Sequence, residues 1–169
     1  VSLSVVDPFR AENGRIFSQG PDCILNPIQQ AAFLHEIYAH ARSDFTGRVT
    51  VPVLWDKQTK TIVNNESVEI LCMLDAACDT IGDTSVGFYP LPLHQQIDSI
   101  IQDLYHRVNN GVYRAGFARS QESHDEAVTD VFAALDHYEV VLSKQLFVCV
   151  SALTEANWCF FPTVIRFDL

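Results

Sequence analysis

The chain has 169 residues, 48% of them hydrophobic, and a formal charge of −10 with a pI near 4.8. This length and apolar content suit one mid-sized domain or two small ones with a packed core rather than a disordered chain, and the acidity sets aside nucleic acid, whose phosphates select basic faces. No apolar run reaches the about 18 residues of a membrane span, and no charged start followed by an apolar stretch marks a leader, so no membrane partner is expected.

Residues 1–6 alternate Val1, Leu3 and Val5 with Ser2 and Ser4, the period of a half-buried strand, which Asp7-Pro8 ends. A chain that opens with Val inside a strand reads as a segment of something longer. Residues 9–26 contain Gly14, Gly20 and Pro21, keep no period and read as loop. Asn26 followed by Pro27 has the chemistry of a helix start, with Phe33, Leu34, Ile37, Tyr38 and Ala41 as the apolar face and residues 43–47 as the close. The next run, GRVTVPVLWDKQTKTIVNNESVEI, predicts a strand over 50–54, a polar turn through Asp56 and Lys60, and a second strand over 61–63. A helix opens near Ser67 and continues to Leu74, with Ile70, Leu71 and Leu74 toward the sheet. The order is strand, helix, strand, strand, helix.

Residues 82–92 read as a linker, and beyond them the pattern is helical throughout. Leu93, Ile97, Ile100, Ile101, Leu104 and Val108 form one stripe, which Asn109-Asn110-Gly111 breaks or bends. Ser120 caps a second helix whose stripe is Val128, Val131, Phe132, Leu135, Tyr138 and Leu142. Thr154-Glu155-Ala156-Asn157 resembles a capping box with an amide in the fourth position and opens a third helix, inside which Pro162 removes a hydrogen bond or makes a kink. Asp98, Asp103, Glu122, Asp125, Glu126 and Asp130 read as the wet faces of these helices.

Pro52 is the oddity, a proline in a β-branched run that cannot donate to a ladder. Two readings are open. It is an edge-strand proline with no ligand, or a cis Val51-Pro52 bond leaves the Val51 N–H and C=O for a ligand lying alongside like an extra strand. Glu66 and Ser67 then sit where unpaired helix N–H groups attract a carboxylate, which points to an acidic, peptide-like ligand. Trp55 reads as packing. Cys23, Cys72, Cys78, Cys149 and Cys159 have neither a C-x-x-C pair nor zinc-like spacing and read as separate reduced thiols, which suit a reducing cytoplasm. The six histidines are scattered without a metal motif.

The stretches GRVTVPVLWDK, IVNNES, VNNGVYRAGFA and LTEANWCFFPTVIRFD, in that order, resemble the glutathionyl-hydroquinone reductases, also called Xi-class glutathione transferases. The resemblance runs from about Val1 to the end. It implies an α/β thioredoxin-like N-terminal domain over 1–81, without its first strand and helix, a linker over 82–92, and an all-α glutathione-transferase helical domain over 93–169, without its last helices. It implies glutathione as co-substrate and no metal, a glutathionylated hydroquinone as the other partner, and a cytoplasmic homodimer. The glutathione cysteinyl backbone would pair with Val51 beside Pro52, its γ-glutamyl carboxylate would lie on Glu66 and Ser67, and Arg48, Val49 and Thr50 would form the strand leading in. Arg48 also reads as a solvated surface charge.

Spacing alone reads Tyr113 as a core or interdomain tyrosine, whereas the resemblance places it over the quinol, where it gives or accepts a proton. The implied chemistry is thiol exchange. A thiolate attacks the sulfur of the glutathionylated hydroquinone, hydroquinone leaves, and a second glutathione resolves the mixed disulfide to glutathione disulfide. The family's nucleophile belongs to a Cys-Pro-Trp type motif ahead of the strand that begins here, and Cys23, after Pro21-Asp22, does not inherit its role. Arg15 stands where the family usually has tryptophan, Val150-Ser151 where it has a polar turn with glycine, and Asn157 where it has aspartate. These departures keep a second expectation in view, a non-catalytic glutathione-transferase-like binding or assembly module. A transferase of conjugating type is a third, against which the NNGVY stretch argues.

Overall fold

Side chains bonded to backbone, more than any continuous sheet, shape the first part of the computed structural model, which describes residues 2–26, 28, 31–77, 87–150 and 152–168. The chain separates into two units, Val1–Ile70 and Leu71–Leu169. The boundary expected after residue 81 falls within residues 78–86, outside the described residues, as do Val1, Pro27 and Cys78.

In the first unit the strand expected over residues 1–6 reduces to one antiparallel bridge. Val5 exchanges N–H and C=O bonds with Ile24, both at 3.0 Å, and the next partner, Asp7 N–H to the Ile16 carbonyl at 2.8 Å, comes from a different part of the loop. Residues 9–26, read as loop, contain a small antiparallel hairpin of β1 (Arg10–Ala11) and β2 (Gly14–Arg15). Gly14 turns it at φ 97°, a left-handed value that costs glycine little.

Helix α1 (Leu34–Ala41) buries Leu34, Ile37 and Tyr38 as the stripe predicted, but it begins at Leu34 and not near Asn26. Glu36 accounts for the difference. Its Oε2 accepts the N–H groups of Ala32 at 2.7 Å and Phe33 at 3.1 Å, satisfying donors that the first turn leaves open. Asn26 instead holds a local turn, accepting from the Ile28 N–H at 3.0 Å.

The strand expected over 50–54 starts only at Leu54. The Thr50 carbonyl accepts from the Tyr38 hydroxyl at 2.8 Å, the Thr50 N–H donates to that hydroxyl at 3.3 Å, and Pro52 has no N–H to give. β3 (Leu54–Asp56) pairs antiparallel with β4 (Thr61–Asn64), Trp55 opposite Ile62, across the predicted turn. The Asp56 carboxylate secures that turn by accepting from Gln58 N–H at 2.8 Å and the Thr59 hydroxyl at 2.6 Å. α1 packs on β2 and β4, and α2 (Ser67–Ala77) opens where the sequence places it. Leu74 is exposed rather than turned to a sheet, while Cys72 and Asp75 of the same helix bond Glu155 at 3.1 Å and the Phe88 N–H at 3.5 Å.

The second unit is helical. A 3-10 turn over Leu91–Leu93, where the linker expected over 82–92 meets the helical domain, leads into α3 (His94–Leu104). A π-turn over Tyr105–Asn109 follows, closed by the Asn110 N–H on the Tyr105 carbonyl at 2.9 Å, and then α4 (Gly111–Gly116). Ile97, Ile101, Leu104 and Val108 of the predicted stripe are all buried.

Ser120 caps α5 (Gln121–Leu142) by accepting the Ser123 N–H at 3.2 Å. Its buried stripe is Ala127, Val131, Ala134 and Tyr138, whereas Phe132 and Leu142 are exposed. The two alanines explain the rotation: small residues let the helices approach, and the large apolar ones stand off to the side. α4 approaches α5 so closely that a Cβ on Gly111 would lie 2.6 Å from Val131 Cγ2.

α6 (Glu155–Val164) starts at the Thr154 cap, runs through Pro162 and ends in a 3-10 turn over Ile165–Asp168. The amide of Asn157 serves the cap, its Oδ1 accepting from the Thr154 N–H at 3.2 Å. Among the described residues no helix is long and apolar enough to cross a membrane.

Candidate functional site

A buried tyrosine joins the two stretches that the sequence singles out. From α1 the Tyr38 hydroxyl donates to the Thr50 carbonyl and accepts the Thr50 N–H, and it also accepts from Asn65 Nδ2 at 3.1 Å. The same Asn65 amide donates to Thr50 Oγ1 at 3.1 Å. Thr50 precedes Val51-Pro52 and Asn65 precedes Glu66-Ser67, so one hydroxyl and one amide fix both edges of the site.

The backbone geometry beyond these anchors fits an extended ligand with a carboxylate. The Val51–Pro52 peptide is cis, Val51 is 45% exposed, and among the described residues no backbone hydrogen bond engages Val51. Asn64 Oδ1 accepts the Glu66 N–H at 2.7 Å and the Glu66 carbonyl accepts the Ile70 N–H at 2.9 Å, which seats Glu66 at the head of α2. The first N–H groups of α2 therefore point outward at the positive end of the helix. Glu66 and Ser67 are exposed beside them, as is Arg48, which forms no ion pair among the described residues. Val49 is half-buried on the approach to Thr50. An extended main chain can pair with Val51 while its carboxylate meets the start of α2.

Tyr113 belongs to the second unit, where α4 carries it 54% exposed with its ring parallel to Phe117 at 6.3 Å between centroids. Among the described residues its hydroxyl has no hydrogen-bond partner, which leaves it free for a ligand. Neighbouring Arg114 binds Asp130 at 2.7 Å, and Arg107 Nε binds the same carboxylate at 2.9 Å. The Arg107 bond, with Arg114 adding to it, holds the Asp130 carboxyl below its ordinary range. Asp130 is thus a fastening point for the α4 segment and not the wet-face residue expected. Asn109 fastens it on the other side, donating to the Cys159 carbonyl at 2.9 Å and Thr163 Oγ1 at 2.8 Å.

The thiols divide clearly. Burial, with the Glu155 carboxylate adding to it, pushes Cys72 up to about 12. Burial pushes Cys159 up to about 11 and raises Cys149. None of these three is a ready thiolate at neutral pH. Cys23 is half-buried and takes the Ser18 hydroxyl at 3.2 Å. Among the described residues no group of three or more His, Cys, Asp or Glu side chains is placed to hold a metal ion.

No family model matches the chain. The glutathionyl-hydroquinone reductase YqjG of Escherichia coli (strain K12) is 44% identical over 169 residues, which cover 99% of this chain and 52% of that protein. A solved Xi-class glutathione transferase from Natrialba magadii superposes with a TM-score of 0.94 at 47% identity, covering 99% of this chain and 52% of that one. Over nearly its whole length the chain is similar to the Xi-class glutathione transferases. Its fold is that of these relatives, a thioredoxin-like part followed by an all-helical part. The glutathione-bound structure of YqjG superposes with a TM-score of 0.93 at 44% identity, over 98% of this chain and 54% of that one. The chain spans about half the length of the curated relatives it matches.

Sequence reasoning missed Tyr38 and Asn65. Tyr38 fits the apolar stripe of α1, so its hydroxyl left no periodic signal. The paired asparagines before a helix did carry one, since Asn is a strong helix-start residue.

Proposed function

We propose that the chain is the glutathione-holding portion of a protein that reduces glutathionylated hydroquinones to hydroquinones. The observation that supports this reading is the Tyr38 hydroxyl, which bonds both Thr50, the residue before Val51, and Asn65, the residue before Glu66. Glutathione has the two features such a site selects, a peptide main chain and a γ-glutamyl carboxylate. Its cysteinyl backbone pairs with Val51 beside Pro52, its carboxylate lies on Glu66 and Ser67, and Arg48, Val49 and Thr50 lead in. The glutathione-bound YqjG structure supports the choice of ligand.

In this reading Tyr113 handles the proton of the leaving hydroquinone, and its exposed hydroxyl supports that role. Residues 1–81 form the glutathione-binding domain, 82–92 the linker and 93–169 the helical domain. The protein works in the cytoplasm, where free thiols persist, and as a homodimer. The thiolate that attacks the glutathionyl sulfur comes from elsewhere than Cys72, Cys149 and Cys159, whose thiols are held protonated. That last observation favours a second reading, a glutathione-binding module without its own chemistry.

Calorimetry on the 169-residue chain tests the cradle. Saturable glutathione binding that Glu66→Ala or Ser67→Ala weakens is expected. A folded chain that ignores glutathione, or variants that bind like the parent, would overturn the assignment. Assaying glutathionyl-hydroquinone turnover with Tyr113→Phe in parallel separates the enzyme from the binding module.

A further inference from the structure

Glu155, the first residue of α6, is only 1% exposed, yet it lacks the partners that a buried carboxylate needs. Its Oε2 receives the Cys72 thiol at 3.1 Å, a weak donor. Its Oε1 has no hydrogen-bond partner among the described residues. Among the described residues the groups that face it are Cys72 and Asp75 from α2, Tyr89 and then His94 and Asp98 from the α3 side, and Cys159 from its own helix. Only His94 among them can be cationic, and its Nε2 is occupied, donating to the Tyr89 carbonyl at 2.9 Å. Asp75 and Asp98 add negative charge. Backbone ties the same junction together, the Glu155 N–H donating to the Phe88 carbonyl at 2.9 Å while Phe88 meets Trp158 edge-on.

We propose that Glu155 is a pH-sensitive latch within the second unit, closed when the carboxyl is neutral and loosened when it ionises. Neutral, the group turns its Oε2–H to the Cys72 sulfur and leaves a single carbonyl oxygen unpartnered. Ionised, it leaves a buried charge with one weak donor and two acidic neighbours, a state that favours parting α6 from α2 and from the segment around Phe88. Burial raises the Glu155 carboxyl above its ordinary range, in keeping with this geometry. The sign follows. A carboxyl whose folded value is raised contributes stability that is complete below its unfolded value and is lost as pH rises through the folded one. Asp130, held low by Arg107, works the opposite way and is lost only toward acid.

Urea unfolding of the whole chain at pH 5.5 and pH 8.0 reads the latch. The midpoint is expected to fall at the higher pH in the parent and in His94→Gln, and to stay in place in Glu155→Gln. An equal fall in Glu155→Gln, or a fall abolished by His94→Gln, would overturn the proposal. Carboxyl carbon resonances of the parent protein supply a measurement that needs no variant. Glu155 is expected to titrate above the ordinary carboxylate range, and titration within the ordinary range would equally overturn the latch.

Discussion

The two units hold themselves together by different means. Val1–Ile70 buries Ala31, Leu34, Ile37 and Tyr38 in and beside one short helix, and elsewhere relies on side chains that bond backbone: Tyr38 to Thr50, Glu36 to Ala32 and Phe33, Asp56 to Gln58. Leu71–Leu169 lays Ile97, Ile101, Leu104 and Val108 in its core, together with Ala127, Val131, Ala134 and Tyr138. The difference matches what the proposed function asks of each. A site that offers unpaired backbone to a ligand needs loops pinned by a few directed bonds, whereas a tyrosine displayed on a short helix needs close helix packing beneath it. The first unit should therefore respond to loss of a hydroxyl, and the second to a change of volume.

The largest expected effect is in the second unit. Gly111→Ala places a Cβ 2.6 Å from Val131 Cγ2, a separation that forces α4 and α5 apart. Such overpacking costs about 2 kcal/mol, read as a lower urea midpoint. An unchanged midpoint would mean that the contact yields freely and that packing in this unit is looser than its buried stripe implies.

The first unit has a sharper probe in Tyr38→Phe. The ring stays and the apolar face of α1 is preserved, but Thr50 and Asn65 lose their common partner. We expect a loss of about 1.5 kcal/mol in stability, and a weaker glutathione affinity by calorimetry, since Val51 and Glu66 are no longer held in register. If stability falls while affinity does not, the hydroxyl supports the fold alone and the cradle is set by other bonds.

How much of this could be read beforehand follows the same division. The helices of the second unit announced themselves because apolar spacing is a strong local signal, and Ile97, Ile101, Leu104 and Val108 lie buried as the stripe predicted. Rotation of α5 was not legible, because Ala127 and Ala134 count for little in a hydrophobic pattern while Phe132 counts for much. In the first unit the strands over residues 1–6 and 50–54 were overread. β-branched residues favour extended backbone, but whether that backbone joins a ladder depends on partners distant in sequence, and here Thr50 is taken by Tyr38. Val51, Pro52, Glu66 and Ser67 could be singled out from proline and helix-start chemistry. The hydroxyl that brings their two loops together could not, because nothing local distinguishes a bonded tyrosine from a packed one.

The smallest expected effect is a gain, and it tests whether the second unit is limited by packing or by backbone. Val150 adopts φ 53°, a left-handed conformation in which a β-branched side chain is strained. Its side chain is 41% exposed, so little packing would be lost by removing it. Val150→Gly should stabilise the chain by about 1 kcal/mol, the lower end of the cost of such a residue in this region, offset in part by the greater freedom of glycine when unfolded. A higher urea midpoint with glutathione binding unchanged would place the strain in the turn before α6. A lower midpoint would mean that the Val150 side chain contributes more through contact than its backbone loses, and that apolar packing governs the second unit even at its exposed turn.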